Sequence, residues 1–122
     1  MKSLISIVAF LMLSLTAFCQ GGVNFEHITF DEALAKAKAE NKLVFMDCYT
    51  SWCGPCKYMS ETIFPQEKAG EFFNPKFVCV KFDMEKSEGL NIQQRYKISS
   101  YPTFLILTSD GGVKARIVGA TL

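Results

Sequence analysis

Two cysteines separated by two residues, Cys53 and Cys56, sit where a short apolar run gives way to a helical pattern, and this junction constrains the chain more than any other feature. The run covers residues 43–48, Leu-Val-Phe-Met-Asp-Cys, and is continuous apart from Asp47. Such a run suits a strand buried on both faces. Pro55 fixes a backbone angle suited to the first turn of a helix, where its missing N–H costs nothing. A helix is therefore expected from the cysteine pair to about Ile63. Backbone N–H groups at a helix start lack partners and, with the macrodipole, favour negative charge. A thiolate at Cys53 is expected to form below the free-thiol pKa of ~8.5. The thiolate is the attacking species in disulfide exchange. Cys53, nearer the helix start, is expected to attack a substrate disulfide. Cys56, one turn in and more shielded, is expected to resolve the mixed disulfide. Gly54 lets another backbone come close.

The same spacing also forms half of many zinc sites, which need a second ligand pair of matching spacing. Cys48 and Cys79 stand alone and the single histidine, His27, is distant in sequence, so no metal site and no bound cofactor are expected. A ring with only two intervening residues closes little chain entropy and makes a poor staple, which favours redox work. Cys48 and Cys79 are expected to behave as small buried hydrophobes. Whether they could pair with each other is left open by the sequence. Charge excludes another class: 13 basic and 12 acidic residues are spread without blocks, leaving no electrostatic footprint for nucleic acid.

The chain of 122 residues, 49% of them hydrophobic, suits one packed domain. Residues 1–19 do not read as part of it. Lys2 gives a positive start, residues 4–18 are largely apolar, and Ala17 and Cys19 occupy the −3 and −1 positions of a cut before Gln20. This pattern suits a cleaved secretory signal, and implies a periplasmic or secreted protein. A retained membrane anchor and a lipoprotein held through Cys19 are the rival readings; bulky Phe18 disfavours the second. Residues 20–122 form the expected domain. Thr29 and Glu32 have capping-box spacing before a helix over Phe30–Glu40. A short helical piece follows Pro65 to about Asn74, a strand covers residues 77–82, and a helix covers Gly89–Tyr96. Strands Thr103–Leu107 and Val113–Val118 flank Ser109-Asp110-Gly111-Gly112, a hairpin signal. This order implies an α/β fold with a mixed central sheet flanked by helices. Met59, Phe72 and Phe73 are expected in the core. The sequence stops three residues after Gly119, where a sheet buried on both faces calls for a final helix; that cover is expected to be missing here or supplied by a partner.

The segment from Val44 through Asp47, Trp52-Cys53-Gly54-Pro55-Cys56-Lys57 resembles the active-site segment of the thioredoxin family. Ser100-Tyr101-Pro102-Thr103 resembles that family's cis-proline segment, and Asp110-Gly111-Gly112 through Val118-Gly119 its terminal hairpin. The resemblance covers nearly all of residues 25–119, and the exported start is similar to that of periplasmic thioredoxin-like proteins of diderm bacteria. It implies a thioredoxin fold with the last helix absent. It implies that Asp47 is a buried acid moving a proton to or from Cys56, with a solvated carboxylate at the strand end as its plainer reading, and that Lys81 is the strand lysine coupled to it. A snorkelling side chain is the plainer reading of Lys81. It implies a cis bond before Pro102, which packs beside the disulfide while the backbone of Tyr101 meets an extended substrate. Trp52 is expected on the apolar rim around Cys53, with core packing as its plainer role.

The expected activity is reduction or isomerisation of disulfides in client proteins, with an electron-donating membrane or soluble partner and a monomeric state. A thioredoxin-fold chaperone or binding module is the alternative, and a dedicated reductant for cytochrome c maturation is a narrower one.

Overall fold

The computed structural model describes residues 21–120; the expected leader lies outside them. Helix α1 spans Phe30–Glu40 and opens on the capping box read from sequence. The Glu32 amide donates to the Thr29 hydroxyl at 3.1 Å, and the Thr29 amide donates to the Glu32 carboxylate at 3.3 Å. Asn41, in the left-handed region at φ 54°, ends it. Strand β1 spans Leu43–Tyr49, with residues 44–48 all buried. Helix α2 spans Gly54–Tyr58 and passes without a break into a π-helical turn, Met59–Ile63. Here the Phe64 amide reaches back five residues to the Met59 carbonyl at 2.9 Å, so the helix expected through Ile63 is present but changes its winding. Helix α3 (Glu67–Phe73), strand β2 (Phe77–Asp83), helix α4 (Gly89–Tyr96) and strands β3 (Thr103–Leu107) and β4 (Val113–Val118) follow.

The sheet order is β2-β1-β3-β4. β1 runs parallel to β2 and antiparallel to β3, and β3–β4 is the antiparallel hairpin. The sheet is therefore mixed, with β1 at its centre, and its strand direction carries the chain straight into the Cys53 loop. Alternation along β1 sends Val44, Met46 and Cys48 to one face and Phe45 and Asp47 to the other. The first set packs with Ala33 and Ala37 of α1, Ile92 and Tyr96 of α4, and Val78, Val80 and Leu105. The second face is aromatic: Phe45 stacks on Phe104 at 5.7 Å and 18°, and meets Phe73 at 4.5 Å and Phe64 at 5.9 Å. Burying such rings is worth about 1.5–3 kcal/mol each before edge and stacking terms. Phe72 departs from expectation: it lies 51% exposed beneath the Lys76 ammonium, because consecutive residues on α3 point in different directions and Phe73 takes the inward one.

An arm, residues 21–29, crosses the aromatic face before α1. The Val23 amide donates to the Phe64 carbonyl at 2.8 Å, and Phe25 bridges Cys79 at the outer edge of β2. Asn74 pins the arm twice, accepting from the Asn24 amide at 2.8 Å and donating to the Gly22 carbonyl at 3.0 Å. Gly70 permits this approach: a Cβ there would lie 2.2 Å from the Gly22 carbonyl oxygen. β4 exposes Val113, Ile117 and Val118, and among the described residues no helix follows it.

Candidate active site

Cys53 is the N-cap of α2, with extended backbone angles (φ −80°, ψ 109°), and Gly54 and Pro55 form the first turn. Cys53 and Cys56 are joined as a disulfide with their Cα atoms 5.3 Å apart. The Cys56 amide, one of the donors that a helix start leaves free, donates to Cys53 Sγ at 3.1 Å. The sulfur thus receives a backbone hydrogen bond before it carries any charge. A bond of this kind strengthens when its acceptor becomes an anion. The sequence placed Cys56 deeper than Cys53. In this oxidised state both are 5% exposed, because the disulfide ties the two sulfurs together; what distinguishes them is the hydrogen bond that Cys53 accepts.

Around the pair, Gly54 has open space where a side chain would go, and nothing among the described residues fills that volume. Pro55 is exposed beside it. Trp52 is 68% exposed, which rules out its core role. Its indole N–H donates to Glu85 at 2.7 Å, and its ring meets Tyr101 edge-on at 5.9 Å. Glu85 was not singled out from sequence; an exposed acid two residues past a strand gives no local signal. The Tyr101–Pro102 bond is cis, as expected, and Pro102 is buried. Thr103 pairs with Cys48 at the β1 end from which the Cys53 loop departs, and the Trp52–Tyr101 contact brings the two loops together.

Beneath the pair lies a cavity of about 250 Å³, lined by Cys53, Cys56, Asp47, Thr50, Ser60 and Lys81 among others. Asp47 is 2% exposed and its Oδ1 has no hydrogen-bond partner among the described residues. Burial pushes its carboxyl up from 3.8 to about 6, against an opposing pull from the Lys81 charge. Lys81 stands directly across the β1–β2 ladder from Asp47, as the resemblance implied. The coupled pair is nevertheless not an ion pair. The Lys81 ammonium donates to the Ser60 hydroxyl at 3.2 Å and lies over the Tyr49 and Phe25 rings at 5.1 and 5.4 Å. Thr50, 2% exposed with an unpartnered hydroxyl, and Ser60 were both missed. Ser60 had one signal, its position one helical turn after Cys56.

Cys48 and Cys79 are free, buried thiols pushed up to about 12 by desolvation. They pack in the clusters on opposite faces of the sheet, so a disulfide between them is excluded. Among the described residues no three His, Cys, Asp or Glu side chains converge as a metal would require.

The thioredoxin family model matches residues 23–122. Thioredoxin-1 of Drosophila melanogaster is 41% identical over 72 residues, which are 59% of this chain and 63% of the fly protein. The chain therefore spans less than two thirds of that relative's length. An H-type thioredoxin of Oryza sativa subsp. indica is 34% identical over 91 residues, 75% of this chain and 69% of that protein. Among solved structures, a Bacteroides thetaiotaomicron protein described as a candidate disulphide isomerase is 44% identical, covers 84% of each chain and superposes with a TM-score of 0.75. A Thermus thermophilus thioredoxin shares the fold, with a TM-score of 0.69 at 23% identity over 80% of this chain and 76% of that one. With the cysteine pair at a helix start, the cis Tyr101–Pro102 bond and the mixed sheet, these matches establish that the chain belongs to the thioredoxin family.

Proposed function

We propose that this protein is a thiol–disulfide oxidoreductase that reduces or isomerises disulfides of client proteins. The observation that carries the reading is the Cys56 amide donating to Cys53 Sγ at the start of α2. In the reduced protein, the Cys53 thiolate attacks one sulfur of a client disulfide. The client S–S bond breaks, a Cys53–client bond forms, and the other client sulfur leaves as a thiolate. Cys56 then gives up its proton to Asp47 and attacks Cys53 Sγ, expelling the second client sulfur, which takes up a proton. Two electrons have passed to the client, and the Cys53–Cys56 disulfide remains for a dithiol donor to reduce. Isomerisation uses the same first step; the freed client thiolate attacks a second client disulfide, and the thiolate that this expels attacks the Cys53–client bond, forming a new client disulfide and releasing the Cys53 thiolate. Trp52 and Tyr101 flank the reactive pair, and an extended client segment binds along the Pro102 loop through main-chain hydrogen bonds. The proposal includes export, carried by residues 1–19.

The test is insulin reduction with dithiothreitol as donor, beside recovery of activity from scrambled ribonuclease. Cys53→Ser should abolish both. Cys56→Ser should accumulate a covalent client adduct on Cys53. Undiminished reduction by Cys53→Ser would overturn the reading, and a chaperone role would then be favoured by holdase activity that survives loss of both cysteines.

A further inference from the structure

Asp47 and Lys81 project from paired positions of neighbouring strands into one cavity. Opposite charges so placed, in a partly buried site, ordinarily meet. Here they do not. Among the described residues the ion pairs join Lys36, Lys42 and Lys86 to carboxylates, and Lys81 is in none of them. Asp47 Oδ1 is left without a partner. The ammonium instead spans the cavity to Ser60, on the helical segment that also carries Cys53 and Cys56, with the Tyr49 and Phe25 rings on its flanks.

We propose that Ser60 is a positioning residue: its hydroxyl holds the Lys81 ammonium against the helix of the reactive pair and off the Asp47 carboxyl. The inference deepens the proposed function, since it rests on Asp47 being the group that takes the Cys56 proton. A partly buried ammonium must have an acceptor. Ser60 supplies one that is neutral, so the lysine is satisfied without fixing the carboxyl in its ionised form. With the hydroxyl removed, the charged acceptor at the paired ladder position, lining the same cavity and without a partner on Oδ1, is Asp47. The resulting ion pair would leave the carboxylate a weaker base and slow the step in which Cys56 attacks Cys53.

Of the remaining groups around the cavity, Thr50 offers only a neutral hydroxyl, and the one other carboxylate is that of Glu61. Lys57 of α2 carries a like charge, Cys56 lines the same cavity as Asp47, and Tyr49 lies under the ammonium as a ring. Glu61 of the π-helical turn is exposed to solvent. β3 and β4 add no ionisable group to the lining.

The experiment is the titration of the Asp47 carboxyl in the reduced full-length protein, followed by carbon-13 NMR. Ser60→Ala should lower its midpoint by about one pH unit, as an opposite charge does when it comes within contact range. Ser60→Thr, which keeps the hydroxyl, should restore the wild-type midpoint. In a Lys81→Met background, Ser60→Ala should have no effect on the midpoint. The acidic limb of the single-turnover resolving rate should move with the NMR midpoint. An unchanged or raised midpoint in Ser60→Ala overturns the proposal, as does a shift that persists without Lys81. The titration needs no client, so a wild-type protein that forms no mixed disulfide would overturn the oxidoreductase reading while the NMR midpoints still decide the role of Ser60.

Discussion

Asp47→Asn removes a charge that the folded chain holds unfavourably, and its buried position sets the size of the effect. The carboxyl is 2% exposed, lacks a partner on Oδ1, and titrates at about 6 instead of 3.8. Between those two values the folded state binds more protons than the unfolded state, so stability falls as pH rises through the window. Above about pH 6 the whole cost is present: at about 1.4 kcal/mol per pH unit, the rise amounts to about 3 kcal/mol. Below pH 3.8 both states are protonated and the cost vanishes. Asparagine cannot ionise, so the stability difference between variant and wild type should grow in favour of the variant by about 3 kcal/mol from roughly pH 3.5 to roughly pH 7. Urea unfolding of the oxidised proteins across that range measures it. Any fixed cost of burying the amide shifts the whole curve and leaves its slope unchanged. A difference that stays flat with pH would refute the reasoning, since it would mean that Asp47 titrates in the folded protein as it does in water.

Two further variants test the scaffold. Gly70→Ala should destabilise the protein by about 1–3 kcal/mol, because its Cβ would meet the backbone of Gly22 and push the arm away; faster hydrogen exchange at Val23, whose amide holds the arm to Phe64, should accompany it. Thr29→Ala should cost about 1 kcal/mol in urea unfolding, the usual worth of a side-chain N-cap, and loss of no stability would show that the capping box contributes little here.

What could be read in advance follows from which interactions are local. The α1 start was legible because a capping box joins residues three apart. β1 was legible because a strand at the centre of a sheet needs apolar residues on both sides, and the hairpin because its loop needs glycine: Gly111 adopts φ 85°. The cysteine pair needed only the strand and the helix around it. The choices that escaped depend on tertiary geometry. Phe72 and Phe73 are adjacent and chemically identical, and only the direction of α3 decides which is buried. Lys81 had two acceptors to choose between, and no spacing in the sequence announces that a serine on the π-helical turn wins over a carboxylate across the ladder. Glu85 belongs to the site through chain folding alone, and Thr50, though only three residues before Cys53, is marked by no spacing as a buried, unpartnered hydroxyl. The equal burial of Cys53 and Cys56 comes from the bond between them, which a reading based on helix position did not weigh.

The reactivity attributed to this protein depends on one sulfur being held as an anion by the start of α2 while the other thiols stay protonated. Alkylation of the reduced protein with iodoacetamide, followed by mass spectrometry from about pH 4 to about pH 9, measures that directly. Cys53 should be labelled first, with a midpoint below the ordinary ~8.5, and Cys48 and Cys79 should remain unlabelled in the folded state. Labelling of Cys56 ahead of Cys53, or a Cys53 midpoint at or above that of a free thiol, would contradict the account.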